Sequence, residues 1–160
     1  MHRTGNNPAA IVSKRVIPSH QIASIMQQHG WTAEIIDRRV HPDEIRTIDP
    51  KMLIVDIDDS SCNGIGILQW FRSANPLNYT IALCQGGCSP AMRSARQLGV
   101  DGFFYLNASG LSLDPGRGLL PVFLQSRQSA PGTTHKPGQT VLPYITATPN
   151  RPGTSCPVRY

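Results

Sequence analysis

The sequence predicts an open α/β fold: a five-stranded parallel sheet between two layers of helices, three layers in all. Two observations carry this reading. Five short apolar runs, near residues 9–13, 32–37, 52–57, 79–84 and 102–106, alternate with segments of helical spacing, as successive strand–helix units do. The clearest runs are continuously apolar rather than alternating, the pattern of strands covered on both faces.

In order, Ala9-Ala-Ile-Val-Ser13 reads as the first strand. Pro18-Ser-His-Gln opens a helix in which Ile22, Ile25, Met26 and His29 recur at helical spacing, and Gly30 stands where a left-handed stop is needed. Thr32 to Asp37 is a second strand. His41 to Ile48 is a short helix with Pro42 in its first turn and two acids at its positive end. Met52-Leu-Ile-Val-Asp-Ile57 is the strongest strand, suited to the sheet centre. Asp58 to Gly64 is a loop by its turn residues, and Ile65, Leu68 and Phe71 give the next helix its apolar face. Tyr79 to Cys84 is the fourth strand, followed by a Gln85-Gly-Gly turn. Ser89 then caps a helix with Pro90 at its first position, Met92, Ala95 and Leu98 facing the core and Gly99 ending it. Gly102 to Leu106 is the fifth strand. Leu119, Leu120, Phe123 and Leu124 suggest a last helix, shortened or bent by Pro115, Gly116, Gly118 and Pro121. This order gives a doubly wound sheet of the flavodoxin-like type with right-handed crossovers.

The 160 residues divide into a polar leader (1–8), one domain (9–127) and a tail (128–160). From Ser129 onward six Pro, three Gly and six Thr accompany no apolar periodicity, so the tail is expected to be disordered. Its Lys136, Arg151 and Arg159 face no acid, which accounts for +3 of the formal net charge of +5. Cations so sparse fit a solvated tail better than a nucleic-acid arm. Cys62, Cys84, Cys88 and Cys156 show no zinc-site or redox spacing. The N-terminus has no apolar signal segment, and no apolar run reaches the ~18 residues of a membrane span. A cytoplasmic protein with reduced thiols is expected.

In such sheets functional groups gather beyond the carboxyl ends of the strands. Three features place this chain beside a known family. Leu53-Ile-Val-Asp56, followed eight residues later by Gly64 and an amphipathic helix, resembles the phosphoacceptor strand, loop and third helix of response-regulator receiver domains. Leu98-Gly-Val-Asp-Gly-Phe-Phe-Tyr-Leu106 resembles the end of their fourth helix and their fifth strand. The order of elements is similar from about Ala9 to Gln125. The resemblance implies the CheY-like form of the fold.

A working receiver transfers a phosphoryl group to its own aspartate, using Mg²⁺ held by oxygen ligands and fixed donors for the phosphate oxygens. By the resemblance Asp56 is the phosphoacceptor position. The acidic pair that would hold the metal reads Ser13 and Lys14, the hydroxyl of the fourth strand reads Cys84, and the lysine of the fifth reads Leu106. Loss of two anionic ligands and gain of a cation weaken Mg²⁺ binding on charge grounds, so no cofactor is expected. Lys14 either pairs with Asp56, standing where the metal would sit, or snorkels at the surface. Phe103 matches the aromatic whose rotamer follows phosphorylation in the family. Asp58 and Asp59 read as a solvated acidic loop, and Cys84 as an inert buried thiol. His20, His29 and His41 lie on separate helices or helix ends with no ligand spacing.

The resemblance therefore implies a degenerate receiver, a pseudo-receiver. It would be a non-enzymatic module of two-component signalling acting by protein–protein contact, with a histidine kinase, another regulator or a second copy as partner. Its contact surface would be the fourth helix, fifth strand and fifth helix; Arg93 and Arg96 lie on the fourth helix and Phe103-Phe-Tyr105 on the fifth strand. The alternatives are a phospho-accepting receiver in a relay through Asp56, and a nucleic-acid-binding regulator using the basic tail.

Overall fold

The computed structural model describes residues 7–115. The expected helix near 119–124 and the tail lie outside the described residues. Ten elements follow one another: β1 (Asn7–Val12), α1 (Val16–Gln28), β2 (Trp31–Ile36), α2 (Pro42–Ile48), β3 (Met52–Asp56), α3 (Gly64–Ala74), β4 (Tyr79–Gln85), α4 (Pro90–Leu98), β5 (Gly102–Asn107) and β6 (Gly110–Pro115).

The strands form one sheet in the order β2-β1-β3-β4-β5-β6, the first five parallel and β6 antiparallel to β5. Side chains alternate across it. Met52 and Ile54 of β3 join Ile11, Ile22, Met26 and Phe104 on the face covered by α1. Leu53 and Val55 join Val12, Ile45, Leu68, Phe71 and Met92 on the face covered by α2, α3 and α4. All five residues of β3 are buried, as a central strand requires. The α/β, flavodoxin-like architecture expected from the sequence is the observed one.

The helix boundaries follow local chemistry. His41 caps α2 in a capping box with Glu44, and Asp49 closes it in the left-handed region at φ 48°. The Ser89 hydroxyl accepts the Met92 amide at 3.1 Å to open α4, and Gly99 ends it at φ 72°. Helix α1 begins earlier than its Pro18 suggested, at Val16. Proline is tolerated there because first-turn amides have no intrahelical acceptor.

The sheet departs from the expected five parallel strands by one antiparallel strand. The Asn107 side chain accepts the Ser109 amide (3.0 Å) and hydroxyl (2.7 Å), and Gly110 takes φ 120°, which reverses the chain after β5. The returning segment alternates, so Leu111 and Leu113 are buried on the face of Phe104 while Ser112 points to the other.

Gly-Val-Asp-Gly between α4 and β5 has a structural task. Asp101 accepts the Thr80 backbone amide at 2.8 Å and its hydroxyl at 3.2 Å, and the Asp101 amide donates to the Thr80 carbonyl at 2.8 Å. Arg72 of α3 reaches the same Thr80 hydroxyl at 3.2 Å. Removing the carboxylate strands the amide of the buried Thr80, so Asp101→Ala should cost about 1–3 kcal/mol in urea unfolding, with Asp101→Asn costing less.

Candidate functional site

Strands β1, β3 and β4 end side by side, and their carboxyl ends converge on Asp56. This last residue of β3 is fully buried, pairs in register with Leu83 of β4 and follows Val55, the partner of Val12 on β1. Both carboxylate oxygens are engaged. Oδ2 accepts the Ser13 hydroxyl at 3.1 Å and the Arg15 Nε at 3.0 Å, and Oδ1 accepts the Asp58 backbone amide at 3.1 Å. The Ser13 hydroxyl in turn accepts the Arg15 amide at 3.1 Å.

Ser13 thus meets Asp56, and Lys14 does not. The exposed Lys14 donates to the Ser61 hydroxyl at 2.6 Å, while Arg15 provides the cation beside Asp56. The chain leaves β1 at Val12 and bends at Lys14; Arg15 is in extended conformation (φ −81°, ψ 102°) and its amide rests on the Ser13 hydroxyl, which brings residues 13 and 15 to Asp56 together. Of the two readings of Lys14, the ion pair with Asp56 is corrected to Arg15, which sequence reasoning missed. The two-residue spacing from Ser13 was the signal that pointed to it.

The two further acids differ from each other. The Asp58 carboxylate accepts the backbone amide of Gln85 at the end of β4 and lies 3.9 Å from Arg15 Nη2, so it is no free member of a solvated loop. Asp59 folds back on its own loop, accepting the Ser61 amide (2.9 Å) and hydroxyl (2.6 Å) and the Cys62 thiol (3.3 Å).

On β4, Cys84 is buried beside the pocket. Phe103 of β5 is buried and stacks on Tyr105 with centroids 5.7 Å apart, under the Arg96 guanidinium at 5.7 Å. Leu106 is half-buried, offers no side-chain donor, and accepts the Gly86 amide through its carbonyl at 3.4 Å.

Burial dominates the electrostatics. It pushes the Asp56 carboxyl above its usual range, against the opposing pull of Arg15, the Asp58 amide and Ser13. It pushes the Cys84 thiol up to about 12, which leaves no thiolate at neutral pH. Hydrogen bonds from the Ser61 hydroxyl and amide hold Asp59 low. Cys62 and Cys84 are buried free thiols.

No family model and no curated protein matches the sequence significantly. Solved structures match the fold. One is the signal receiver domain of a DNA-binding response regulator (merR) from Colwellia psychrerythraea 34H, with TM-score 0.58 and 13% identity over 78% of this chain and 100% of that one. This chain has the receiver fold. Chemotaxis protein CheY4 of Vibrio cholerae is similar at TM-score 0.52 and 12% identity, over 78% of this chain and 97% of that one. The response regulator DrrB of Thermotoga maritima is similar at TM-score 0.50 and 14% identity, over 64% of this chain and 46% of that longer chain.

The receiver fold raises the question of Mg²⁺. In this pocket the Arg15 guanidinium rests 3.0 Å from Asp56 and 3.9 Å from Asp58, and a cation so placed repels a second one. Among the described residues no three His, Cys, Asp or Glu side chains gather as a metal site. No helix among them is long and apolar enough to cross a membrane.

Proposed function

We propose that this receiver-like domain is a pseudo-receiver, a regulatory module in two-component-type signalling that acts by protein contact and does not depend on Mg²⁺-driven phosphorylation. The observation that carries this reading is the state of Asp56. A nucleophilic carboxylate needs an accessible oxygen and a cation shared with the incoming phosphoryl group. Here the group is buried, both oxygens accept hydrogen bonds from the chain, and the cation beside it is covalently part of the protein.

The partner in this reading is a histidine kinase, another regulator or a second copy. The contact surface is α4 with β5, where Arg93 and Arg96 are exposed and Tyr105 is half-buried next to Arg96. Neither a cofactor nor a catalytic role is assigned. The third reading, nucleic-acid binding by the basic tail, depends on residues outside those described and draws no support from the pocket.

The test is intact mass after incubation of the full chain with acetyl phosphate and Mg²⁺. The expected spectrum is unchanged protein. A stoichiometric phosphate adduct that disappears in Asp56→Ala would overturn the pseudo-receiver reading and make Asp56 a working phosphoacceptor.

A further inference from the structure

The donors around Asp56 point at a second anion. The Gln85 amide, at the free end of β4, and the Arg15 guanidinium both face the space between the β3–α3 and β4–α4 loops. The Asp58 carboxylate fills that space. A phosphoryl group on Asp56 would need those same donors, because its charge would develop in the same gap between β3, β1 and β4. We propose that Asp58 is a resident stand-in for that anion, so that Arg15 and Asp58 together supply, from within the chain, the cation and anion that ligands otherwise bring. This rests on the pseudo-receiver reading and deepens it, because it names what holds the module in a single state.

Three observations support it. Asp58 is one of two adjacent acids, yet it alone leaves its own loop: Asp59 binds only Ser61 and Cys62, while Asp58 crosses to Gln85, 27 positions away. Arg15 joins the two carboxylates, with Nε on Asp56 and Nη2 toward Asp58, so one guanidinium ties the β1 end to both. The β4–α4 loop that receives the bond is exposed from Gln85 to Cys88 and contains Gly86 and Gly87, the latter at φ 128°; at its start the Asp58 bond to Gln85 is joined by the Gly86 amide on the Leu106 carbonyl at 3.4 Å. The carboxylate therefore closes, permanently, a loop that an exchangeable anion would close only while present. Asp58 is a positioning residue, and the loop it positions leads directly into α4.

Hydrogen exchange on the full chain tests this. In Asp58→Ala, the amides from Gln85 to Ser89 should exchange about tenfold faster or more, with the β3 and β5 amides unchanged. Inorganic phosphate at millimolar concentration should slow them again in this variant while leaving the wild type unaffected. Asp59→Ala should leave residues 85–89 as they are. Unchanged exchange in Asp58→Ala, or faster exchange that phosphate does not reverse, overturns the proposal; the latter marks Asp58 as a plain loop tie. Asp58→Asn, which keeps the shape without the charge, serves in the same way if the alanine variant does not fold. Inorganic phosphate is no phosphodonor, so these outcomes are independent of the adduct that would overturn the pseudo-receiver reading.

Discussion

Gly64→Ala is expected to destabilise the protein by about 3 kcal/mol, read as a lower urea midpoint at unchanged slope. Gly64 is the first residue of α3, and the helix there lies against the backbone of β3. A Cβ at this position would sit 2.5 Å from the Asp56 carbonyl oxygen and 3.1 Å from both Ile57 Cα and Val55 Cγ1. Backbone atoms at the sheet centre cannot step aside, so the helix must move, and with it Leu68 and Phe71, which are buried against the sheet. Gly66→Ala provides the contrast within the same turn. Its Cβ would meet only the side chain of Asn63, an exposed residue whose amide group can rotate away, so its cost should stay within about 1 kcal/mol. The glycine eight residues beyond Asp56 is therefore a packing requirement of the pocket's own strand.

The second large effect is expected from Arg15→Ala. Removing one partner of a buried ion pair leaves the other charge uncompensated, and the loss should reach about 3 kcal/mol at pH 7. Asp56 has no exposure through which water could replace the guanidinium. The loss should depend on pH with a definite sign. The folded-state pKa of Asp56 is raised by burial, and loss of Arg15 raises it further, so the folded state holds the proton more tightly than the unfolded chain. The penalty of the charged form is thus fully present above the folded pKa, and it fades as pH falls toward 3.8, the ordinary value of a solvated aspartate. Urea midpoints of wild type and Arg15→Ala should diverge at pH 7 and converge near pH 4. The double variant Arg15→Ala/Asp56→Asn, which has no charge left to strand, should recover most of the loss at pH 7.

These two residues show what the sequence could and could not reveal. Gly64 was legible as part of a pattern with Asp56, because spacing along a strand, loop and helix survives in one dimension. Asp56 itself was legible for the same reason. Arg15 was passed over because Lys14 stands in the aligned position, and alignment ignores the bend of the chain at Lys14. Asp58 was read as a solvated acid since its acceptor role involves a backbone amide 27 positions away, and backbone donors leave no mark on residue identity. Strand β6 escaped for a different reason. Leu111-Ser-Leu113 alternates correctly, but it is short and lies between Gly110 and Pro115, so it resembles turn sequence until its partner is known.

That sixth strand also bears on how the sheet assembles. Val12 and Val55 must find each other across 43 positions, whereas Asn107 and Gly110 are three apart. Parallel pairings across long crossovers are slow to form, while a hairpin with a two-residue turn closes in about 1–10 μs. The β5–β6 pairing is thus the local contact of the sheet, and the parallel pairings are the long-range ones. The outer hydrogen-bonding groups of β5 are then satisfied by β6, and the edge of the described sheet passes from the aromatic β5 to a strand that ends at Pro115, a residue that cannot donate to an incoming chain.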